Sequence, residues 1–397
     1  SAPKGAMTAN LRTALRQRRE EIIDALKSER GPHAGPTPIP QVPEATDYAL
    51  SNAQQRIWIL AQMEGASTAY NVPLHLELEG DLQTSLLEQA FGQVIDRHES
   101  LRTTFAVVDG EPRQRACDPG AFRLAVEDLS HQDSPQELAA QLAVTESAGA
   151  FDLEKGPLYR ARLLIIAPRH YVLLCTLHHI ICDGVSIGVL FREMSAIYNA
   201  LKQGAGASLP QRNIQYRDYA AWHRGLLESP ATTAHHDYWL DKLTGPLPVL
   251  DLPTTAARPP IQTFHGGELA FSFGAGRSQG LRHLAREHKA SLFMVLLAHV
   301  KVLLHRYSGA QDIIVGTPVA GRPHPDLQDQ IGLYLNTLSI RTRPQSELSF
   351  TDYLADVRRV CLDAYEHQDY PFDRLVDDVS VTRDLSRSPV FDVMMIL

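Results

Sequence analysis

Two adjacent histidines, His178 and His179, stand at the end of an apolar run that continues to Gly184. The run also holds two cysteines, and this spacing is compatible with zinc ligands. Successive side chains of a strand point to opposite faces, however, so both imidazoles cannot converge on one ion without a break in the strand. An imidazole with a pKa near ~6.5 at a strand end is well suited to proton transfer. We therefore predict acid–base chemistry and no metal, with burial of both rings as ordinary core groups as the alternative.

The residues after the histidines end the predicted strand. Asp183 and Gly184 are typical of a turn into a following helix. Because Asp183 follows the apolar residues Ile180–Cys182, its carboxylate is expected to be buried, and a buried carboxylate needs a partner. Two interpretations follow, a simple turn and a turn whose aspartate holds an arginine. One histidine is expected to face a packed layer and the other a cleft.

Strand and helix patterns intermingle around this segment. The spacing of apolar residues predicts strands at Leu74–Leu78, Leu158–Ile166 and His170–Leu177, and helices at Leu82–Asp96 and Val185–Leu201. The two strands before the histidines are joined at Pro168-Arg169. The histidine pair therefore lies between a strand and a helix.

The second half of the chain repeats this mixture. It predicts one long apolar helix from about Leu281 to Tyr307, stopped by Ser308-Gly309, and a buried strand Asp312–Thr317 closed by Pro318. A Pro- and Gly-rich stretch, residues 244–260, is the predicted boundary between two α/β halves. Residues 390–397 resemble a strand with nothing after it, so the C-terminus is expected to be truncated.

The N-terminal 43 residues differ from the rest. Ser1–Met7 has no pattern and is interpreted as a tag remnant. Thr8–Arg30 has apolar residues at helical spacing among charges, and Gly31–Pro43 is a Pro-rich linker. The globular part is expected to begin near Glu44. The helix is either a partly ordered linker or a docking element for an upstream partner.

Composition excludes several classes of function. The 397 residues carry 38 Lys+Arg and 46 Asp+Glu, a net charge of −8, and no basic, aromatic segment typical of a nucleic-acid interface. The longest apolar runs, Tyr171–Leu177 and Leu292–Ala298, are shorter than the ~18–20 residues of a membrane span. Four scattered cysteines fit a reducing compartment. We predict a cytoplasmic protein without nucleic-acid or membrane partners.

The residues from His178 to Gly184 match the His-His-x-x-x-Asp-Gly signature of condensation domains of nonribosomal peptide synthetases, which they share with chloramphenicol acetyltransferase-like acyltransferases. Six other segments resemble the remaining motifs of that family, in family order. They are Ser51–Leu60, Arg97–Phe105, Tyr216–Trp222, Ile331–Leu338, His367–Asp373 and Arg383–Pro389. The resemblance covers residue 50 to the end.

This resemblance implies an α/β (α+β) fold with two chloramphenicol acetyltransferase-like lobes, which form a V-shaped pseudo-dimer around a central tunnel. The lobes would be residues 44–243, with the histidine motif, and residues 261–397, joined by the linker 244–260. The family normally continues some tens of residues past the seventh motif. This agrees with the expected truncation.

The resemblance also implies roles for single residues. His179 matches the residue usually treated as catalytic, while His178, Asp183 and Gly184 belong to the same motif. An arginine pairs with the motif aspartate in the family, and Arg102 is assigned to that place. Asn336 is expected near the tunnel, with an ordinary strand-end role as the alternative. No substrate-binding residue is assigned.

The implied reaction is attack by the amine of an acceptor aminoacyl thioester on the carbonyl of a donor acyl or peptidyl thioester. Whether His179 acts as general base or by positioning the amine stays open. No cofactor is bound by the domain, because phosphopantetheine arms belong to the upstream donor and downstream acceptor carrier proteins. An adjacent adenylation domain is a further implied partner. The alternatives are a condensation domain that also modifies the incorporated residue, for example by dehydration, and a noncatalytic carrier-docking scaffold.

Overall fold

The computed structural model describes residues 37–62, 68–254, 257–263, 266–379, 384 and 386–397. The chain divides into two units at Pro38, and the second unit, Ile39–Leu397, is compact. The predicted tag remnant, the amphipathic helix Thr8–Arg30 and residues 31–36 of the Pro-rich linker lie outside the described residues. The second unit contains all of the elements below.

The second unit mixes helices and strands, as the sequence predicts. The strands are β1 (Tyr48–Ala49), β2 (Asn71–Glu79), β3 (Thr103–Val108), β4 (Glu111–Ala116), β5 (Ala125–Asp128), β6 (Tyr159–Ala167), β7 (His170–His178), β8 (Ile313–Val319), β9 (Asn336–Thr342) and β10 (Val393–Met394). The helices are α1 (Asn52–Ala61), α2 (Thr84–Arg97), α3 (Pro135–Ala148), α4 (Gly184–Lys202), α5 (Tyr216–Leu227), α6 (Thr233–Lys242), α7 (Gly274–Glu287), α8 (Leu292–Ser308), α9 (Phe350–Glu366) and α10 (Phe372–Asp378).

A four-stranded sheet in the order β2-β7-β6-β5 positions the histidines. Strand β7 is antiparallel to both neighbours, and its last residue, His178, pairs with Asn71 of β2. The turn from β6 to β7 contains Arg169 with a positive φ of 63°. The predicted pair of strands joined at this turn is confirmed. The predicted strand at Leu74–Leu78 lies within β2.

Helix α4 follows the histidines directly. The predicted bounds Val185–Leu201 agree with the observed Gly184–Lys202, and the Asp183 carboxylate caps the helix by accepting from the backbone N–H of Ser186. Helix α2 packs against α4. Both helices contribute apolar side chains to a first hydrophobic core, together with β7 and α1.

A three-stranded sheet in the order β10-β8-β9 supports a second core. Pro318, expected to close β8, lies inside that strand. The strand predicted for residues 390–397 is limited to Val393–Met394, which pairs in parallel with β8. Fully buried Lys301 of α8 donates from Nζ to the carbonyls of Ile313 and Ile340, at 2.9 and 2.6 Å.

The prediction of one long helix from Leu281 to Tyr307 is wrong. Two helices, α7 and α8, meet there at an angle of 107°. Lys289 has a positive φ of 52° at the break, and the Ser291 hydroxyl caps α8 by accepting from the backbone N–H of Met294. A serine cap competes with helix continuation, so it divides an otherwise continuous apolar pattern. The predicted stop is confirmed, since Gly309 ends α8 with φ 70°.

The two cores do not divide strictly at the predicted linker. The first core includes Leu327 and Tyr334, which come after the linker in sequence. The second includes Trp239 and Leu243, which come before it. The lobe boundaries at residues 44–243 and 261–397 therefore stay a prediction.

No single helix among the described residues is long and apolar enough to cross a membrane. The bent pair of α7 and α8 reaches the necessary length and apolar composition only when the two helices are taken together.

Candidate active site

The histidine pair lies where β7 ends. His178 is the last strand residue, and His179 begins a one-turn 3-10 helix, His179–Ile181, that packs against α1. The His178 side chain is 1% exposed, and its Nδ1 accepts a hydrogen bond from the Ile180 backbone N–H at 3.2 Å. Burial lowers the pKa of His178 to about 4. His178 is therefore neutral at neutral pH.

His179 has different surroundings. Its backbone N–H donates to the Tyr70 carbonyl at 2.8 Å, which holds the start of the turn against the residue before β2. Its side chain is half-buried. Nδ1 is enclosed, and it has no hydrogen-bond partner among the residues that the structure describes. The His179 turn is thus held by a backbone hydrogen bond, and the enclosed Nδ1 of the ring is not bonded to any described residue.

Asp183 closes the turn from within the protein. It is 2% exposed, and Oδ1 accepts from both the backbone N–H and the hydroxyl of Ser186, at 2.8 and 2.7 Å. Arg322 donates from Nη2 to Oδ1 and Oδ2 at 2.9 and 3.2 Å. Oδ2 also accepts from the Tyr334 backbone N–H at 3.0 Å. Asp183 therefore caps α4 and joins it to two segments from the second half of the sequence.

Both terminal nitrogens of Arg322 are hydrogen-bonded. Its Nη1 donates to the carbonyls of Leu327 and Gln330 at 2.6 and 2.8 Å, and its guanidinium lies 4.2 Å from the centroid of the Tyr334 ring. Gly321 before it has φ +61°, and a Cβ there would lie 1.8 Å from the Tyr334 carbonyl oxygen. Only glycine permits this approach. The loop that places Arg322 beside Asp183 therefore requires glycine at position 321.

The assignment of Arg102 as the partner of Asp183 is wrong. Arg102 ends a 3-10 turn before β3; its Nη1 donates to the Cys117 carbonyl, and Nη2 lies 3.7 Å from the Glu99 carboxylate. These bonds hold the side chain against the end of β4. The partner, Arg322, lies 139 positions after Asp183. No periodicity or spacing in the sequence marks it, and only its position after Gly321 is a local signal.

The Asn336 side chain is hydrogen-bonded to the segment before α10. Its amide nitrogen donates to the carbonyls of Gln368 and Tyr370, both at 2.7 Å, and its amide oxygen accepts from the Phe372 N–H at 2.9 Å. It thereby fixes the segment that leads into α10. Gly184, the first residue of α4, is exposed, with no atom within 4 Å of a Cβ built on it. The structure does not bring Gly184 or Asn336 into hydrogen bonding with His179.

Sequence reasoning missed a second buried charge cluster on α4. Glu193 is 2% exposed and accepts from Arg212 Nη2 at 2.8 Å and from Arg97 Nε at 3.2 Å. Its Oε2 lies 2.9 Å from Nε2 of buried His98. Burial, opposed by the bond to Glu193, lowers the pKa of His98 to about 4. A glutamate inside the apolar pattern of α4 was the one available signal.

Two cavities lie at opposite ends of α1. The larger, of about 260 Å³, is lined by His178 and by the C-terminal residues Trp58 and Ala61 of α1. The smaller, of about 40 Å³, is lined by Asn336, Tyr334 and the first residues of α1. His179 itself lines neither. Within the described ranges, no group of three His, Cys, Asp or Glu side chains could hold a metal ion.

Comparison of the amino-acid sequence with those of known proteins identifies its family. The sequence model of the family described as Condensation domain matches residues 44–397. The chain is 46% identical over 351 residues to a plipastatin synthase of Bacillus subtilis (strain 168), covering 88% of this chain and 13% of that protein. It is 43% identical over 347 residues to tyrocidine synthase 3 of Brevibacillus parabrevis, covering 87% of this chain and 5% of that protein. The chain thus spans a small part of these relatives.

Solved structures share the fold. The X-domain from teicoplanin biosynthesis superposes with a TM-score of 0.80 at 28% identity, covering 90% of this chain and 79% of that one. The first condensation domain of the calcium-dependent antibiotic synthetase, in complex with a substrate analogue, has a TM-score of 0.73 at 21% identity, covering 86% and 80%. The expected mixed α/β fold is thereby confirmed.

Proposed function

Because the chain belongs to the condensation-domain family of nonribosomal peptide synthetases, we propose that it joins two carrier-bound thioester substrates through an amide bond, with His179 as catalytic residue. Condensation domains of this family are amide-forming acyltransferases. The observation that carries the assignment of His179 is its imidazole, half-buried and without a hydrogen-bond partner for the enclosed Nδ1 in the described part of the chain. The turn below it is tied down by Asp183 and Arg322.

The reaction makes modest demands on a base. The amine nitrogen of the acceptor bonds to the donor carbonyl carbon, the donor C–S bond breaks, the amine loses one proton and the released sulfur gains one. An α-amine with a pKa near ~7.7–8.0 is already partly neutral at pH 7. Positioning of the amine and transfer of the proton as the new bond forms are therefore the work we assign to His179.

Buried His178 and Asp183 are assigned support roles in the same turn. His178 accepts from the Ile180 N–H, and Asp183 caps α4, so both fix the backbone on either side of His179. Asn336 holds the segment before α10 and is proposed as a further support residue. Arg322 takes the supporting role that the sequence assigned to Arg102, since it is the arginine bonded to Asp183.

Partners follow from the family. The chain covers 13% of the plipastatin synthase, so the rest of that relative has room for carrier and adenylation domains. We propose that the substrates reach this domain on phosphopantetheine arms of an upstream donor carrier and a downstream acceptor carrier, within a cytoplasmic synthetase. The arms are parts of the substrates. Docking through Thr8–Arg30 stays a prediction.

The test is incubation of the protein with one loaded donor carrier and one loaded acceptor carrier, followed by the mass of the acceptor-bound product. We expect an amide, formed at least ~100-fold more slowly by His179→Ala, because general acid–base groups contribute ~100- to 10,000-fold. His131→Ala is the matched control, since His131 is exposed in a turn. A product lighter by one water would indicate the residue-modifying alternative, and no product with any loaded pair would contradict the proposal.

A further inference from the structure

Tyr216, the first residue of α5, belongs to the first core, and the chemistry proposed above makes no use of its hydroxyl group. Its side chain is 3% exposed. The hydroxyl oxygen lies 2.8 Å from the Ser51 hydroxyl and 2.6 Å from the Leu333 carbonyl oxygen. Ser51 is the N-cap of α1, and Leu333 lies just before β9. The Tyr216 hydroxyl therefore connects three segments that are distant in sequence.

The direction of these hydrogen bonds follows from the donors that are available. A carbonyl oxygen only accepts, so the single proton of the Tyr216 hydroxyl is donated to Leu333. Ser51 must then donate its own proton to the Tyr216 oxygen, while Ser51 Oγ accepts from the Gln54 backbone N–H at 3.2 Å. Burial raises the pKa of Tyr216 well above its usual value, so the hydroxyl keeps its proton. The chain of bonds thus runs from Ser51 through Tyr216 to Leu333.

The Leu333 carbonyl and the Tyr334 N–H belong to one peptide group, which is planar. The N–H of this group donates to Asp183 Oδ2 at 3.0 Å. Two buried side chains therefore hold the two ends of one peptide group, Tyr216 at the oxygen and Asp183 at the nitrogen. Hydrogen bonds in such a chain polarise and strengthen one another where water is excluded. The N-cap of α1 is thus connected to the N-cap of α4 through one tyrosine and one peptide group.

The Tyr216 ring also packs directly on the backbone of the segment before β9. A Cβ on Gly332 would lie 2.1 Å from Cδ2 of the ring, so only glycine leaves room for this approach. The Tyr216 ring stands edge-on to the Tyr334 ring, with 5.0 Å between centroids. The peptide group between residues 333 and 334 is therefore held by the ring of Tyr216 as well as by its hydroxyl.

We propose that Tyr216 is a positioning residue for His179, an inference that rests on the proposed amide-forming function. The turn His179–Ile181 packs against α1, and Asp183 follows it. The chain of hydrogen bonds from Ser51 to Asp183 holds both of these neighbours. Loss of the Tyr216 hydroxyl breaks this chain in its middle, so that α1 and the cap of α4 can move relative to each other. The hydroxyl acts through these neighbours and takes no part in the chemical step.

The first test removes only the hydroxyl, in Tyr216→Phe. Tyr353→Phe is the matched control, because Tyr353 is also 3% exposed and its hydroxyl lies 2.8 Å from Thr342 Oγ1 in the second core. Each variant loses a buried hydrogen bond, so the melting temperature should fall by a similar few degrees in both. With saturating loaded carriers and folded protein, kcat should fall about 10-fold in Tyr216→Phe and stay within about twofold in Tyr353→Phe. The KM should not change, because no substrate contact is removed.

A second pair of variants tests the other end of the chain. Ser51 and Ser291 both cap a helix with the same capping-box geometry, but only Ser51 is bonded to Tyr216. Ser51→Ala and Ser291→Ala should both lose a helix cap, while only Ser51→Ala should lower kcat, by about 3- to 10-fold. The double variant with Tyr216→Phe should lose little more than Tyr216→Phe alone, since both changes break one chain. This pair also carries the test if Tyr216→Phe does not fold.

A measurement without turnover separates this inference from the proposed function. In protein isotope-labelled at the histidine rings, the nuclear magnetic resonance signal of His179 is identified by its absence from His179→Ala. We expect Tyr216→Phe to shift that signal and Tyr353→Phe to leave it in place. The inference is overturned if Tyr216→Phe leaves the signal or kcat unchanged, or if Tyr353→Phe lowers kcat as much. Absence of amide from wild type tells against the proposed function instead, and the His179 signal still tests the position of the ring.

Discussion

Helix α4 carries two buried carboxylates, Asp183 at its N-terminus and Glu193 near its middle, and each is 2% exposed. Both are paired with arginines. Asp183 also accepts three hydrogen bonds from neutral donors, whereas Glu193 is bonded to Arg97, Arg212 and His98. The Asp183 carboxylate is bonded to one arginine, two backbone N–H groups and one hydroxyl, whereas the Glu193 carboxylate is bonded to charged and ionisable side chains.

The two carboxylates differ in the parts of the molecule that their hydrogen bonds connect. Asp183 is four residues after His179, and its bonds to Arg322 and to the Tyr334 N–H fix the turn from which the imidazole projects. Glu193 joins α4 to the end of α2 and to Arg212, away from that turn. Two equally buried charges on one helix therefore have separate consequences. We expect Asp183 to affect activity and stability, and Glu193 to affect stability alone.

The largest stability effect is expected at Asp183. Asp183→Ala leaves the Arg322 guanidinium buried without its anion and removes the cap of α4, so the free energy of unfolding should fall by ~3–5 kcal/mol. Denaturant titration measures this. Arg322→Ala should give a similar loss, and the double variant should lose less than the sum of the single losses, because coupled partners are not additive. Additive losses would show that the two residues do not interact.

A smaller loss is expected at Glu193. Glu193→Ala should reduce the free energy of unfolding by about 2 kcal/mol, between the values for exposed and buried pairs, because Arg97 retains access to water. Glu193→Gln is the control that keeps the shape of the side chain. The same denaturant titration applies. A loss as large as that of Asp183→Ala would remove the distinction between the two carboxylates.

Two buried histidines, one of them bonded to Glu193, make the stability of the fold depend on pH. His98 and His178 have pKa values lowered to about 4 by burial, against ~6.5 when unfolded. The unfolded chain therefore binds the extra protons between pH 6.5 and 4, so stability is lost as the pH falls through that window. At pH 5 the loss is about 2 kcal/mol for each histidine. His98→Gln should show a shallower decline than wild type, and an unchanged slope would contradict the burial of a neutral His98.

The smallest effect is expected at Arg102. It is bonded to the Cys117 carbonyl and lies 3.7 Å from Glu99, with part of its side chain in solvent. Arg102→Ala should cost at most ~1 kcal/mol. Coupling between Arg102→Ala and Asp183→Ala should be absent in a double-mutant cycle. A large coupling energy would restore the pairing that the sequence suggested.

Local patterns predicted the elements around the histidines, because apolar alternation and helical spacing depend on near neighbours in sequence. Strand β7, helix α4 and the buried aspartate at their junction follow from about thirty consecutive residues. The break between α7 and α8 was not predicted, because the apolar pattern continues on both sides of Ser291 and the role of Ser291 as a helix cap is not visible in that pattern. Arg322 could not be identified, because a pair across 139 positions is fixed by tertiary packing. The cavity lined by Trp58, Phe151 and His178 is likewise formed by segments that are distant in sequence.

The most direct test of the role of Asp183 is the kcat for amide formation, measured with saturating loaded carriers under conditions in which every variant is folded. Asp183→Asn keeps the size of the side chain and removes its charge, and Glu193→Gln does the same at the other cluster. Because a displacement of ~1 Å at a catalytic group can cost ~100-fold, Asp183→Asn should lower kcat by about 10- to 100-fold. Glu193→Gln should leave kcat within about twofold of wild type, since its cluster does not hold the histidine turn. Equal losses in the two variants, or a larger loss at Glu193, would contradict the claim that Asp183 and Arg322 hold His179 in its catalytic position.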